Sequence, residues 1–150
     1  MAKTLLSTSR SLPIALLRAR ERVMGPIRNQ LSTVGVTEQQ WRVLRVLQED
    51  GPMEPTRIAE QACLLLPSLT RMLQKLEEKK LIQRKPDKTD RRRQVVRITP
   101  RGSRLIDENL ERNLELMEQV RQRMGVDRYD ALLDLLNALD QLGPPEDKGD

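Results

Sequence analysis

Three consecutive arginines, Arg91, Arg92 and Arg93, form the longest run of basic residues in this sequence. Guanidinium groups bind phosphate oxygens, and in the minor groove of duplex DNA they favour narrow, electronegative A·T segments. On this chemistry Arg92 suits the minor groove, and its two neighbours suit the phosphate backbone. Phosphate would repel the carboxylate of Asp90, so we expect Asp90 to orient Arg92 or a neighbouring arginine. The alternative is that the three arginines are a solvent-exposed run of positive charge with no binding role.

A second set of polar side chains lies on a segment with helical periodicity, residues 67–80. Its apolar residues Leu69, Leu73 and Leu76 fall within one stripe, and Arg71 projects away from that stripe at 100° per residue. This position favours a contact between Arg71 and base edges in a major groove over a merely solvated arginine. The other candidates on this helix for contacts with bases or phosphates are Ser68, Thr70, Gln74 and Lys75. Of these, Lys75 is suited to phosphate. The alternative is that they are surface residues with no contact to DNA.

A third set of residues, Arg20, Gln40, Trp41 and Arg45, combines two cations, an amide and an indole. A guanidinium fork matches the geometry of a carboxylate, and an indole offers a flat apolar wall. These residues therefore predict a pocket for a small ligand that carries an anion and a ring. Two alternatives stay open: Trp41 packs in the core, and the arginines form salt bridges between subunits with acidic residues of 107–118.

Composition excludes several classes of function. The absence of histidine excludes Ser-His triads and most zinc or iron sites. The carboxylates lack a base partner, and the sequence shows no glycine-rich loop beside them. We therefore expect no enzyme activity, metal or cofactor. The single cysteine, Cys63, suits a cytoplasmic location, and its neighbours Ala62 and Leu64 indicate a buried apolar residue rather than a redox thiol. With no apolar run near the ~20 residues that span a bilayer, no membrane association is expected.

The elements that must position these residues are mostly helical, with one β-hairpin. Apolar residues recur at helical spacing from Leu12 to Leu31, where Gly25-Pro26 is expected to kink or divide the helix. Thr37 and Gln40 have the spacing of a capping box that opens the next helix. The remaining expected elements are helices at 54–62 and 67–80, strands at 81–85 and 94–98, a long helix after Thr99-Pro100, a last helix at 127–142 and a disordered tail at 143–150.

Charge is distributed unevenly along the chain. Residues 54–104 contain 14 Lys/Arg and 6 Asp/Glu, whereas residues 105–142 contain 4 and 9. A local excess of positive charge is typical of nucleic-acid binding, although an uneven solvated surface would look the same. Two short helices followed by a hairpin with an arginine-rich tip predict a winged helix-turn-helix that binds duplex DNA.

The stretch PSLTRMLQKLEEKKLIQRKPDKTDRRRQVVRITPRG, residues 67–102, resembles the MarR family of bacterial regulators. The resemblance rests on the order of recognition helix, strand, Asp-x-Arg wing (Asp90 and Arg92), strand, and the closing turn Ile98 to Gly102. It implies one winged-helix domain over residues 1–142, with DNA-binding elements at 54–100 and dimerisation helices at 10–32 and 103–142. One departure is Lys80, which stands where family members often have a glycine in the left-handed conformation.

Upstream segments are similar to the homoprotocatechuate-degradation operon regulators within that family. They include Ile14 to Leu17, Thr37 to Arg42, and Ala62-Cys63 followed by Pro67 to Thr70. The similarity implies a repressor of an aromatic-catabolism operon that is released by a small aromatic carboxylate. The apolar faces of the leucine-rich end helices and of the first helix exceed what one small domain can cover, which predicts a homodimer and therefore a near-palindromic operator. The alternatives are a constitutive DNA-binding protein without an effector and a winged-helix module that binds only protein.

Overall fold

The computed structural model describes residues 4–144, so the tail predicted from residue 143 onward lies mostly outside the described residues. The chain divides into two compact units, which meet in sequence between residues 113 and 114. A 3-10 turn at Thr8–Arg10 precedes the first helix. The elements that follow are α1 (Leu12–Ser32), α2 (Glu38–Asp50), α3 (Pro55–Ala62), α4 (Leu66–Glu78), β1 (Ile82–Pro86), β2 (Gln94–Ile98), α5 (Pro100–Met124) and α6 (Val126–Asp140).

The first two helices form largely as local sequence signals predict. α1 runs without a break through Pro26, so Gly25-Pro26 does not divide it. The capping box that opens α2 is present, since Gln40 N donates to Thr37 Oγ1 over 3.1 Å and Thr37 N donates to Gln40 Oε1 over 3.2 Å. Trp41 is buried in the core, as one of the two sequence interpretations expected.

α3 and α4 form a helix-turn-helix whose turn is closed by a non-glycine residue in the left-handed conformation. Cys63 has φ 53° and ψ 52°, and Leu64 N donates to the Ala59 carbonyl over 2.9 Å. The prediction that Cys63 is buried was wrong, because its side chain is exposed. A left-handed residue after the last helical turn leaves the helical course, so its side chain need not follow the buried face that ends at Ala62.

β1 and β2 form an antiparallel hairpin, here called the wing, in which Ile82 pairs with Ile98 and Pro86 with Gln94. An isolated bridge joins the second strand to the segment before α3, with hydrogen bonds of 3.0 and 2.9 Å between Met53 and Val96. Val96 and Ile82 are fully buried. The wing is therefore fastened to the helix-turn-helix along its base.

The turn from the wing into α5 explains why glycine stands at residue 102. Thr99 Oγ1 donates to the Lys80 carbonyl over 2.7 Å and accepts from Gly102 N over 3.1 Å. A Cβ at Gly102 would collide with the Leu81 carbonyl oxygen and lie 2.7 Å from Ile98 Cγ1. Lys80 has φ 60°, so lysine adopts the left-handed conformation that glycine favours at this position.

The second unit contains the carboxyl-terminal half of α5 and the whole of α6. In α6 every residue from 131 to 140 is exposed, although the helix is rich in leucine. The exposed leucines of this segment and of the short turn after it are Leu132, Leu133, Leu135, Leu136, Leu139 and Leu142. Among the described residues, no helix has the length and apolarity that crossing a bilayer requires.

Candidate nucleic-acid interface

One face of α4 is buried and the other is open to solvent. Leu69, Leu73 and Leu76 are almost fully buried, which fixes the rotation of the helix against α3 and the core. The opposite side, here called the reading face, consists of the exposed residues Leu66, Pro67, Thr70, Arg71, Gln74, Lys75 and Glu78. Ser68 is half-buried at its margin. The sequence-predicted group on this helix is thus brought together on one surface.

Several side chains of the reading face have no competing partner in the described part of the chain. Within residues 4–144, Arg71, Gln74 and Lys75 form no side-chain hydrogen bond or ion pair, and the same is true of Ser68. Thr70 differs, because its hydroxyl donates to the Leu66 carbonyl over 3.1 Å and retains only acceptor capacity. An open cleft of about 570 Å³ adjoins this face and is lined also by Thr37 and Gln39 at the start of α2.

The tip of the wing is organised around Asp90. Its Oδ1 accepts from Arg92 N over 3.1 Å and lies 3.6 Å from Arg92 Nε. Its other carboxylate oxygen lies 3.7 Å from Arg93 Nε. The Arg92 side chain is nevertheless 95% exposed, and Arg91 is exposed beside it. The Asp90 carboxylate therefore fixes the loop by accepting a hydrogen bond from the backbone of Arg92, and the Arg92 guanidinium remains accessible.

Two ion pairs tie the wing to the helix-turn-helix. Arg93 Nη1 lies 3.4 Å from Glu54 Oε1 at the start of α3, and Arg84 Nη2 lies 3.0 Å from Glu77 Oε1 on α4. The hydrogen bonds from Arg84 lower the pKa of Glu77, and the same contact raises the pKa of Arg84, so this pair stays ionised at neutral pH. Neither acidic residue was singled out from the sequence, because no local spacing links a helix residue to a strand that folds back on it.

The predicted effector residues lie on two helices. On α1, Arg20 Nη2 is 3.2 Å from Glu38 Oε2, and Arg28 Nε lies 3.5 Å from the same oxygen. Arg28 also donates to both carboxylate oxygens of Glu21 over 2.7 Å, which lowers the pKa of Glu21. The Glu38 side chain is only 11% exposed, so Arg20 already has a largely buried carboxylate partner within its own chain.

The remaining predicted effector residues do not all lie on one side of α2. Glu38, Trp41 and Arg45 follow one another at helical spacing. Arg45 is half-buried and forms no ion pair or side-chain hydrogen bond within the described part of the chain. Gln40 instead faces α4: its Oε1 accepts from Thr37 N and, over 3.3 Å, from Lys79 Nζ. Within the described residues, no hydrogen bond or ion pair of a side chain joins any of the four predicted effector residues to another.

Lys79 is a further connection that sequence analysis did not identify. Its ammonium donates to the Gly35 carbonyl over 2.7 Å as well as to Gln40. It joins the end of α4 to the turn between α1 and α2.

Between residues 4 and 144, no group of three or more acidic or cysteine side chains is arranged to hold a metal ion.

Comparison with known proteins identifies relatives over nearly the whole chain. The MarR family model matches residues 36–93. The transcriptional regulator FarR of Neisseria gonorrhoeae is 36% identical over 86% of this chain and 88% of its own. The homoprotocatechuate degradative operon repressor of Escherichia coli is 34% identical, covering 89% and 90%. The crystal structure of NadR in complex with 4-hydroxyphenylacetate superposes with a TM-score of 0.79 at 35% identity, covering 91% of this chain and 97% of that one.

A helix-turn-helix with an open basic face, followed by a wing with an arginine-rich tip, defines a winged helix-turn-helix protein. The regulators just described extend that likeness beyond the DNA-binding elements to most of the chain. The chain belongs to the MarR family.

Proposed function

We propose that this protein is a sequence-specific repressor that binds duplex DNA and controls an operon for the breakdown of aromatic compounds. The observation that carries the proposal is the reading face of α4, whose Arg71, Gln74 and Lys75 are exposed and have no partner among the described residues. In this proposal Arg71 contacts base edges in the major groove, Ser68, Thr70 and Gln74 contact bases or phosphates, and Lys75 contacts phosphate.

The wing supplies the second contact with DNA. Arg92 enters the minor groove and Arg91 neutralises a phosphate. Arg93, whose side chain is 62% exposed, contacts the phosphate backbone while it stays paired with Glu54. Asp90 does not contact DNA in this arrangement but holds the backbone of Arg92, as its 3.1 Å hydrogen bond from Arg92 N indicates. Because the ion pair of Arg93 with Glu54 fastens the wing to α3, the wing and the reading face can engage one duplex together.

The protein acts as a homodimer in this proposal, so the operator is a near-palindrome with half-sites about one helical turn apart. The exposed leucines of α6 support a second copy as their partner, as do Leu12, Leu16 and Leu17 on α1. A soluble monomer rarely leaves so many large apolar side chains in water.

A small aromatic carboxylate releases the DNA in this proposal, and it binds beside Arg20, Trp41 and Arg45. Arg45, which is half-buried and has no ion pair among residues 4–144, is the best-placed cation, because Arg20 is already held by Glu38. The names of two relatives support the ligand class: one is a repressor of homoprotocatechuate degradation, and another was crystallised with 4-hydroxyphenylacetate. Gln40 takes part only indirectly, through the α2 cap and Lys79.

The DNA-binding part of the proposal is tested by selection from random duplexes. The purified full-length protein is expected to enrich a near-palindromic sequence and to bind it less tightly as salt rises. Recovery of no common sequence would contradict it. A protein that binds other proteins but no duplex at low salt would instead be the interaction module.

The effector part is tested by titrating 4-hydroxyphenylacetate and dihydroxyphenylacetate into the preformed protein–operator complex. Release at micromolar to millimolar ligand is expected, since a ligand of about a dozen heavy atoms rarely binds more tightly. Arg45→Ala is expected to bind the operator normally and to resist release, whereas Arg22→Ala, an exposed arginine outside the site, should respond like wild type. If no aromatic acid releases the operator, the constitutive DNA-binding protein is the better description.

A further inference from the structure

Two large apolar side chains are exposed where α4 begins. Leu65, the residue that precedes the helix, is 77% exposed, and Leu66, its first residue, is 44% exposed. Burying a leucine side chain stabilises a fold, so two adjacent exposed leucines leave apolar area in water that burial would remove. Their neighbours show that apolar side chains can be buried here, since Leu64 is half-buried and Leu69 is fully buried.

The position of these leucines relates them to the reading face. Leu66, Thr70 and Gln74 succeed one another at four-residue spacing, and Pro67, Arg71 and Lys75 form the adjacent row. All six residues are exposed. Leu66 is therefore continuous with the surface that the proposed function places against DNA, and Leu65 precedes it directly in the chain. The two residues lie at the amino-terminal end of that surface, the part of a recognition helix that usually meets the base edges.

Only one group on the base edges of a major groove suits an apolar side chain. Phosphates and the donor and acceptor atoms of bases need polar partners, whereas thymine presents its C5-methyl group in the major groove. Uracil, which pairs identically, lacks that methyl. A leucine against the methyl removes apolar area of both groups from water, and the same leucine against a cytosine or a phosphate does not.

We infer that Leu65 and Leu66 contact thymine methyl groups in the major groove and make the operator half-site require thymine where the start of α4 enters it. This inference rests on the proposed function and adds residues that read sequence without hydrogen bonds. The basic surroundings favour duplex DNA as the occupant, because residues 54–104 carry 14 basic and 6 acidic side chains. A second copy of the chain is the rival occupant.

The test is a thymine-to-uracil scan of the operator recovered by selection, measured with wild type and with Leu66→Ala and Leu65→Ala. Both leucines are exposed, so the substitutions should leave the melting temperature unchanged. Uracil at a contacted position is expected to weaken wild-type binding roughly fourfold, the effect of about one buried methyl. On that uracil operator at least one of the variants should bind as well as wild type, because its contact has already been removed.

Lys75→Ala is the matched control, since a lost phosphate contact should weaken binding to thymine and uracil operators by the same factor. The inference is overturned if wild type binds every uracil operator as tightly as the thymine one, or if both leucine variants lose as much affinity on uracil as wild type does. A change in the oligomeric state of Leu65→Ala or Leu66→Ala, measured as the molar mass of the assembly in solution, would also overturn it and favour contact between copies. Failure of wild type to bind any duplex would refute the proposed function itself.

Discussion

Arg71 and Arg92 are both exposed cations, but they stand on surfaces with different tasks. Arg71 lies on a helix face held in place by three buried leucines, so its guanidinium can be aimed at one base pair. Arg92 stands on a loop, 95% exposed, and is positioned mainly through its backbone. A base-edge contact distinguishes sequences, whereas a minor-groove or phosphate contact mostly contributes affinity and salt dependence.

We therefore expect Arg71→Ala and Arg92→Ala to weaken operator binding in different ways. Arg71→Ala should cost about 1–3 kcal/mol of discrimination at one base pair and leave binding to unrelated duplexes nearly unchanged. Arg92→Ala should weaken binding to all duplexes and lower the slope of log K against log salt by about one. Binding isotherms at four salt concentrations with operator and scrambled duplex measure both effects. Equal, sequence-independent losses in both variants would contradict the assignment.

Asp90 offers a test in which electrostatics and geometry predict opposite signs. Removing a negative charge near DNA should strengthen binding if charge alone matters. If Asp90 instead holds the backbone of Arg92, Asp90→Ala should weaken binding, about three- to tenfold for the loss of one charge-assisted hydrogen bond. Asp87→Ala is the comparison, because Asp87 lies in the same loop and bonds Thr89 rather than an arginine. Tighter binding by Asp90→Ala would show that the carboxylate only repels phosphate.

The turns before and after α4 each contain a non-glycine residue in the left-handed conformation. Cys63 closes α3, and Lys80 follows α4, where Leu81 N donates to the Leu76 carbonyl over 3.0 Å. Such a backbone is about 1–2 kcal/mol less favourable for residues with a Cβ than for glycine, so the tertiary contacts of the wing must hold Lys80 in place.

Lys80→Gly is therefore expected to raise stability by about 1 kcal/mol, a rise in Tm of roughly 2–4 °C in a chain of this size. Lys75→Gly should lower stability by a similar amount, since residue 75 has a helical backbone and glycine is unfavourable there. Calorimetry of the three proteins gives both values. A lower Tm for Lys80→Gly would mean that the lysine side chain, and not its backbone, stabilises this turn.

Sequence reasoning identified the elements well wherever a local rule decides them. The Thr37 and Gln40 capping box, the switch to strand periodicity at β1 and the Thr99 to Gly102 turn all depend on neighbours in sequence. The exposure of Cys63 was not predicted, because a left-handed backbone at a cysteine follows from how α3 and α4 pack. The partners of Gln40 and Arg20 were missed for the same reason: Lys79 and Glu38 are distant in sequence.

For the whole molecule, the large exposed apolar surface predicts an obligate dimer whose contacts include α6. Leu135 is 70% exposed, so Leu135→Lys should leave the fold of the single chain intact while placing a charge in the interface. Light scattering is expected to give about twice the 17.3 kDa chain mass for wild type and a shift toward the single chain for Leu135→Lys. Asn137→Lys is the control, because it adds the same charge at a polar position of α6. Wild type at the mass of one chain at micromolar concentration would contradict the prediction.

The reading face and the wing are proposed to recognise one particular duplex sequence together. The most direct measurement is the ratio of affinities for the selected operator and for a scrambled duplex of the same composition, at 150 mM salt. We expect a ratio of about 10³ or more, which falls toward one when Arg71→Ala and Gln74→Ala are combined. A ratio near one for the wild-type protein, with binding that depends only on salt, would contradict it.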